Sequence, residues 1–118
     1  MIEYLGIDPG KSGAIVFIYE DGSFSRAFRA PLVGKDWDEL SLRGIFCQPG
    51  VAVKLVVLEK VGAMPTDGRK AAFTFGESFG IMRGILIGTG WPYQLVSPKT
   101  WQRAVLGTTT SDKSQLVA

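Results

Sequence analysis

The stretch Leu55-Val56-Val57-Leu58 most constrains the fold of this chain. It lies at the centre of a run from Lys54 to Val61 and is apolar at four successive positions, so neither face of a strand built from it suits water. Such a strand belongs inside a parallel or mixed sheet. Gly13 to Tyr19 is a second continuous apolar run, rich in β-branched and aromatic residues, and reads as another buried strand. Before it, Tyr4 to Asp8 reads as a short strand halted by Asp8-Pro9-Gly10, a turn-forming triplet. After it, Asp21-Gly22 marks a tight hairpin turn. Phe24 to Ala30 then alternates, with Phe24, Arg26 and Phe28 on one face, until Pro31. Three strands joined by tight turns make an antiparallel meander.

The helices follow from capping signals and apolar spacing. Asp36 with Glu39 three residues on forms a capping box, predicting a helix to about Cys47, ahead of Pro49-Gly50. A polar loop from Pro65 to Lys70 leads to a long helix over about Ala71 to Ile87, with Ala72, Phe75, Phe79, Met82 and Leu86 as its buried stripe. Tyr93 to Val96 is a short strand. Ser97 and Pro98 are suited to cap and open a further helix that Gly107 ends, and Ser111 opens another that runs about two turns to Ala118. The predicted order is β-β-β-α-β-α-β-α plus a helix cut short, an α/β mixed sheet flanked by helices. At 118 residues the expectation is one domain, 1–118.

Composition narrows the chemistry. Histidine is absent, which removes His-activated nucleophiles and His-ligated zinc, so any reaction must run on carboxylates, hydroxyls, Lys and Arg. The lone Cys47 allows no internal disulfide and fits a reducing compartment. The longest apolar stretch, Gly13 to Tyr19, is far short of the roughly 20 residues that span a bilayer, and no basic-then-apolar leader is visible, so a cytoplasmic protein without a membrane partner is expected. The net charge of +2 is unevenly spread: residues 1–59 hold six Lys/Arg against eight Asp/Glu, and residues 60–118 hold seven against three. That asymmetry suits a chain holding metal with one half and a polyanion with the other, although chance scatter of surface charge gives the same pattern.

Two carboxylates stand out. Asp8 ends a strand before Pro-Gly and so sits at the C-terminal edge of the sheet, where open α/β sheets bind ligands; the alternative is that it only caps the turn. Glu59 interrupts an otherwise apolar strand near its C-terminal end, where a charge is expensive unless paired or metal-bound; the alternative is a salt bridge to Lys60 or Arg69. If the two strands run side by side and parallel, the carboxylates converge. A convergent pair without histidine favours a hard, oxygen-loving cation such as Mg²⁺.

The order of these motifs resembles RuvC-type Holliday-junction resolvases of the RNase H-like superfamily. Tyr4-Leu5-Gly6-Ile7-Asp8-Pro9-Gly10 with Lys11-Ser12-Gly13-Ala14 is similar to that family's first strand and turn, and Leu55 to Val61 to its second acidic strand. Lys70 to Gly84 resembles its long helix. Tyr93 to Leu106, with Ser97-Pro98-Lys99-Thr100-Trp101, resembles the strand and basic helix of phage-type members, and Lys113 to Val117 the start of the next helix. The resemblance implies a structure-specific endodeoxyribonuclease that cuts four-way junctions with two Mg²⁺ ions (Mn²⁺ able to substitute) held by four carboxylates, and that works as a homodimer. Asp8 and Glu59 match the first two carboxylates as catalytic and metal-binding residues. The other two lie, in the family, on a last helix that this sequence lacks; Asp67, Glu77 and Asp112 match neither, so the 118 residues alone are expected to be inactive.

Lys11 and Ser12 by that match, and Arg69, Lys70, Lys99, Arg103 and Lys113 by their charge, are candidates for binding DNA, against the alternative of solvated surface. Trp101 either stacks on a base or packs in the core. Gly76, Gly80 and Gly84, four apart, strip one stripe of the long helix of side chains; that stripe suits a second subunit, or equally another helix of the same chain. Two other functional classes fit parts of the pattern: a catalytically inactive nucleic-acid-binding module of the same fold, and part of an actin-like ATPase or sugar kinase, whose chains also open on a strand ending in Asp-x-Gly.

Overall fold

The computed structural model describes residues 1–60 and 68–97. Its centre is a five-stranded mixed sheet ordered β3-β2-β1-β6-β7, from β1 (Ile2–Ile7), β2 (Ala14–Tyr19), β3 (Phe24–Arg29), β6 (Ala52–Glu59) and β7 (Tyr93–Val96). The first three strands form the expected antiparallel meander, while β1–β6 and β6–β7 pair in parallel. Between the meander and β6 lie a small hairpin, β4 (Leu32–Val33) and β5 (Asp36–Trp37), and helix α1 (Glu39–Phe46); α2 (Arg69–Thr89) connects β6 to β7.

Alternation sorts the sheet into two unlike faces. Leu5 and Ile7 of β1, Ile15 and Phe17 of β2, and Val56 and Leu58 of β6 pack with Leu42, Ile45 and Phe46 of α1 and Met82 and Leu86 of α2 in one core. Both helices therefore cover that face. The intervening residues Tyr4, Gly6, Val16, Ile18 and Val57 line a shallow apolar hollow on the other. The long helix ends where Gly90, at φ 76°, adopts the left-handed conformation that glycine takes without a Cβ clash, its N–H donating to the Leu86 carbonyl.

Three local expectations are corrected. The cap of α1 is Asp38, not Asp36: Asp38 Oδ1 accepts from the Ser41 N–H at 3.2 Å and Oδ2 from the Ser41 hydroxyl at 2.7 Å. Asp36 is taken by the β4–β5 ladder, opposite Val33, and extended backbone there leaves no room for a helix start. In the long helix the buried residues are Ser78, Met82 and Leu86, while Phe75 is 40 % exposed. Ser78 owes its place to Trp37, whose indole N–H donates to the Ser78 hydroxyl at 3.2 Å and moors the hairpin to α2. Phe24 does not share a face with Arg26 and Phe28. The β2–β3 register jumps between Phe17↔Arg26 and Ile18↔Phe24, an irregularity that reverses the alternation and leaves Phe24 66 % exposed. The helix expected from Ser97 and the one from Ser111 lie outside the described residues.

The shifted cap is open to test. Asp38→Ala should lower the midpoint of thermal unfolding at neutral pH, and Asp36→Ala should change it much less. The Ser41 hydroxyl and N–H hold the Asp38 carboxyl below its ordinary 3.8. A depressed carboxylate stabilises the fold above that value and loses its contribution as pH falls through the folded-state value. The gap between wild type and Asp38→Ala is therefore expected to narrow below about pH 4, followed by melting curves from pH 7 to 3.

Candidate functional site

The two acidic positions come together through strand register. β1 and β6 pair Ile7 with Leu58 in parallel, so the next residue of each, Asp8 and Glu59, falls side by side at the C-terminal edge of the two central strands. The Asp8 N–H donates to the Ala14 carbonyl at 3.0 Å, extending the β1–β2 ladder by one residue, and Glu59 pairs with Val96 of β7. Ile7 and Leu58 point into the helix-covered core, so Asp8 and Glu59 lie on the opposite face, which no helix among the described residues covers. Both are half-buried. A lateral strand spacing of about 4.8 Å puts two such carboxylates within reach of a shared cation. Among the described residues no group of three or more Asp, Glu, Cys or His lies close enough to hold an ion.

The loop after β1 fixes Asp8. Its Oδ1 accepts the Gly10 N–H at 3.2 Å, Pro9 is buried, and the Gly13 N–H donates to the Gly10 carbonyl at 3.0 Å, turning the chain back into β2. Gly13 passes so close to Asp8 that a Cβ there would overlap the Asp8 carbonyl oxygen and sit 2.7 Å from its Cγ. Only glycine lets this loop fold over the carboxylate. The sequence reading used Gly13 as the start of a strand and missed this contact, which the tight return from Asp8-Pro9-Gly10 to Gly13 could have signalled.

Of the candidate DNA-binding residues, Lys11 and Ser12 lie on this loop, and the Lys11 ammonium donates to the Lys35 carbonyl at 2.6 Å. Arg69 and Lys70 are exposed in the first turn of α2, which has Gly68 as a cap without a side-chain bond and no acidic residue. Two cations at a helix N-terminus oppose the macrodipole, an arrangement that a bound anion relieves. Lys99, Trp101, Arg103 and Lys113 lie outside the described residues, as do Asp67 and Asp112. Gly76, Gly80 and Gly84 are exposed, and a Cβ at any of them would meet nothing within 4 Å, so among the described residues no helix of this chain packs on the stripe.

Gly13→Ala should displace the Asp8 loop and destabilise the protein by about 1–3 kcal/mol in urea unfolding, the usual range for overpacking. Gly6→Ala, where the added methyl meets nothing within 4 Å, serves as the control and should fall within about 1 kcal/mol of wild type.

No family model matches this chain, and no curated protein is similar to it by sequence. Its structure is similar to that of RuvC from Thermus thermophilus, with a TM-score of 0.64 and 14 % identity over 97 % of this chain and 75 % of that one. The likeness establishes the fold, a five-stranded mixed sheet flanked by helices.

Proposed function

We propose that this chain is a metal-dependent endodeoxyribonuclease that cuts branched DNA at four-way junctions, acting in the cytoplasm. The observation that carries the reading is the placement of Asp8 and Glu59, from different parts of the sequence, side by side on neighbouring parallel strands at the open edge of the sheet. Their chemistry fits Mg²⁺ or Mn²⁺, since both are hard oxygen donors and no nitrogen or sulfur ligand accompanies them. When bound, such ions make a nucleophile of water and neutralise the leaving oxygen of a phosphodiester.

The protein's own part is positioning. The Gly10 N–H holds the Asp8 carboxylate by Oδ1, and the close passage of Gly13 restrains it from the other side. Glu59 is held in the β6–β7 ladder opposite Val96. Lys11, Arg69 and Lys70, and Lys99, Arg103 and Lys113 further on, supply cations for backbone phosphates, with Trp101 available to stack on a base. The absence of a third metal-ligating side chain among the described residues also suits a second reading, an inactive junction-binding module of the same fold.

Asp8→Asn is expected to leave the metal-free melting temperature unchanged or slightly raised, because one of two neighbouring like charges is gone, and Glu59→Gln is expected to leave the fold intact. Wild type should be stabilised by Mg²⁺ or Mn²⁺, by about 2.7 kcal/mol at a hundredfold excess over Kd, and both variants much less. Equal metal-induced shifts in all three proteins would exclude a shared site. Junction cleavage with Mg²⁺ that is lost in Asp8→Asn supports the nuclease; tight junction binding without metal-dependent cleavage supports the module.

The reading includes a homodimer formed along α2. The stripe of Gly76, Gly80 and Gly84 is open, and Phe73 and Ile87 on the same helix are 73 % and 67 % exposed. Gly80→Leu points its side chain into open space within the monomer, so it should fold like wild type yet shift the mass measured by light scattering from dimer towards monomer.

A further inference from the structure

We infer that Arg29 and the tip of the β4–β5 hairpin at Lys35 form a phosphate-holding rim beside the carboxylate pair, gripping the nucleic-acid backbone next to the phosphate being cut. The inference rests on the proposed nuclease reading and extends it to residues in the acidic half of the chain, where the charge balance gave no reason to look.

Register carries the first part. Arg29 pairs with Ala14, Ala14 lies opposite Asp8 through the Asp8 N–H, and Asp8 lies beside Glu59. Arg29, Ala14, Asp8 and Glu59 thus form one cross-strand row. Phe28, the neighbour of Arg29, packs edge-on against Phe17 on the core side, so Arg29 shares the open face with the two carboxylates. Two strand spacings separate it from Asp8, roughly 10 Å, and only the methyl group of Ala14 stands between them on that face. Arg29 is exposed and has no ion pair or hydrogen bond among the described residues. A guanidinium at this separation is too far to neutralise Asp8 directly and well placed for a flanking phosphate.

The hairpin supplies the second cation. From Arg29 the chain passes Ala30, whose N–H donates to the Gly13 carbonyl at 3.1 Å, and enters β4. Gly34, at φ 63°, opens a two-residue turn with Lys35 at the tip, as hairpins of this length require. The tip is fastened at both ends: the Lys11 ammonium holds the Lys35 carbonyl, and the Trp37 indole is moored to Ser78. The Lys35 side chain is exposed, while its backbone carbonyl is held by Lys11 of the loop that carries Asp8. Lys11, Arg29 and Lys35 outweigh the exposed Asp36 of the same hairpin, so the rim is net positive beside an acidic centre. A polyanion whose reacting phosphate is drawn to a cation at Asp8 and Glu59 would meet this rim with its adjacent phosphates.

The test is the salt dependence of four-way-junction binding in EDTA, for wild type and an Arg29→Gln/Lys35→Gln double variant. Each lost phosphate contact lowers the slope of log K against log salt by about 0.9, so the double variant should show a slope shallower by nearly 2. Arg29→Lys/Lys35→Arg should keep the wild-type slope. Lys35 of wild type should also be shielded from an amine-acylating reagent by bound junction DNA, a measurement independent of whether the variant folds. Wild-type slope in the double variant, or equal acylation of Lys35 with and without DNA, would overturn the rim and leave the nuclease reading standing. Failure of wild type to bind any DNA would overturn both.

Discussion

The parallel pairing of β1 with β6 is the contact on which the rest of the molecule depends. It places Leu5 beside Val56 and Ile7 beside Leu58, and these four side chains form the floor on which α1 and α2 rest. A slip of one residue would turn Leu58 to the open face and Glu59 into the core, where an unpaired carboxylate is severely destabilising. The hydrophobic pattern that builds the core therefore also fixes which way the acidic residues face. Stability and site geometry are set by the same register. The irregularity between Glu3 and Tyr4 lies at the far end of the pairing, so that the segment from Tyr4 to Ile7 runs in step with Leu55 to Leu58 right up to the carboxylates.

Around that axis the open edge is assembled from short-range devices. The Asp8 loop is closed by three hydrogen bonds within seven residues, Gly10 N–H to Asp8, Gly13 N–H to Gly10 and Asp8 N–H to Ala14. The β4–β5 hairpin is then joined to it by Lys11 and to α2 by Trp37, which links the site loop to the core through side chains 41 residues apart in sequence. Rigid support of this kind is what a site needs if its ligands are to be held ready rather than gathered on binding.

How much of this the sequence discloses depends on the range of the interaction. The apolar runs of β2 and β6, the Asp21-Gly22 turn, and β7 at Tyr93 to Val96 are local patterns, and the structure follows them closely. Asp8 and Glu59 were legible because a carboxylate that interrupts or ends an apolar strand is conspicuous. Asp36 was misread because its spacing to Glu39 imitates a capping box, while the competing force, pairing with Val33 across a turn, is not visible in a helical pattern. Phe75 failed for a related reason: periodicity favoured it, but Trp37 seeks a hydroxyl partner on α2 and brings Ser78 into the core. Gly13 and Arg29 matter only through what lies across from them, and cross-strand register is not written in composition or charge. Gly76, Gly80 and Gly84 were read as suiting either a neighbouring helix or a partner, and the open space around them decides against a neighbour among the described residues.

The two acids of β1 show how differently one strand treats like charges. Glu3 lies on the helix-covered face and is 4 % exposed, and it is matched at 3.0 Å by Arg26, whose guanidinium also stacks 4.0 Å above the Phe17 ring. That cation is itself confined, with Nε and Nη2 buried and without hydrogen-bond partners, so its interaction with Glu3 and the aromatic face must compensate for its desolvation. Asp8, five residues on and on the other face, has no basic partner among the described residues, only the Gly10 N–H. Its partial exposure makes that tolerable, since water still solvates it. A second carboxylate, Glu59, follows Leu58 on the neighbouring strand, so the two acids share one edge of the sheet. A chain that can place an arginine against Glu3 could have placed one against Asp8. Arg29 is on the correct row and stops two strands short. The Asp8 carboxylate is thus left with one backbone N–H as its partner among the described residues, which is the condition a metal-binding position has to meet.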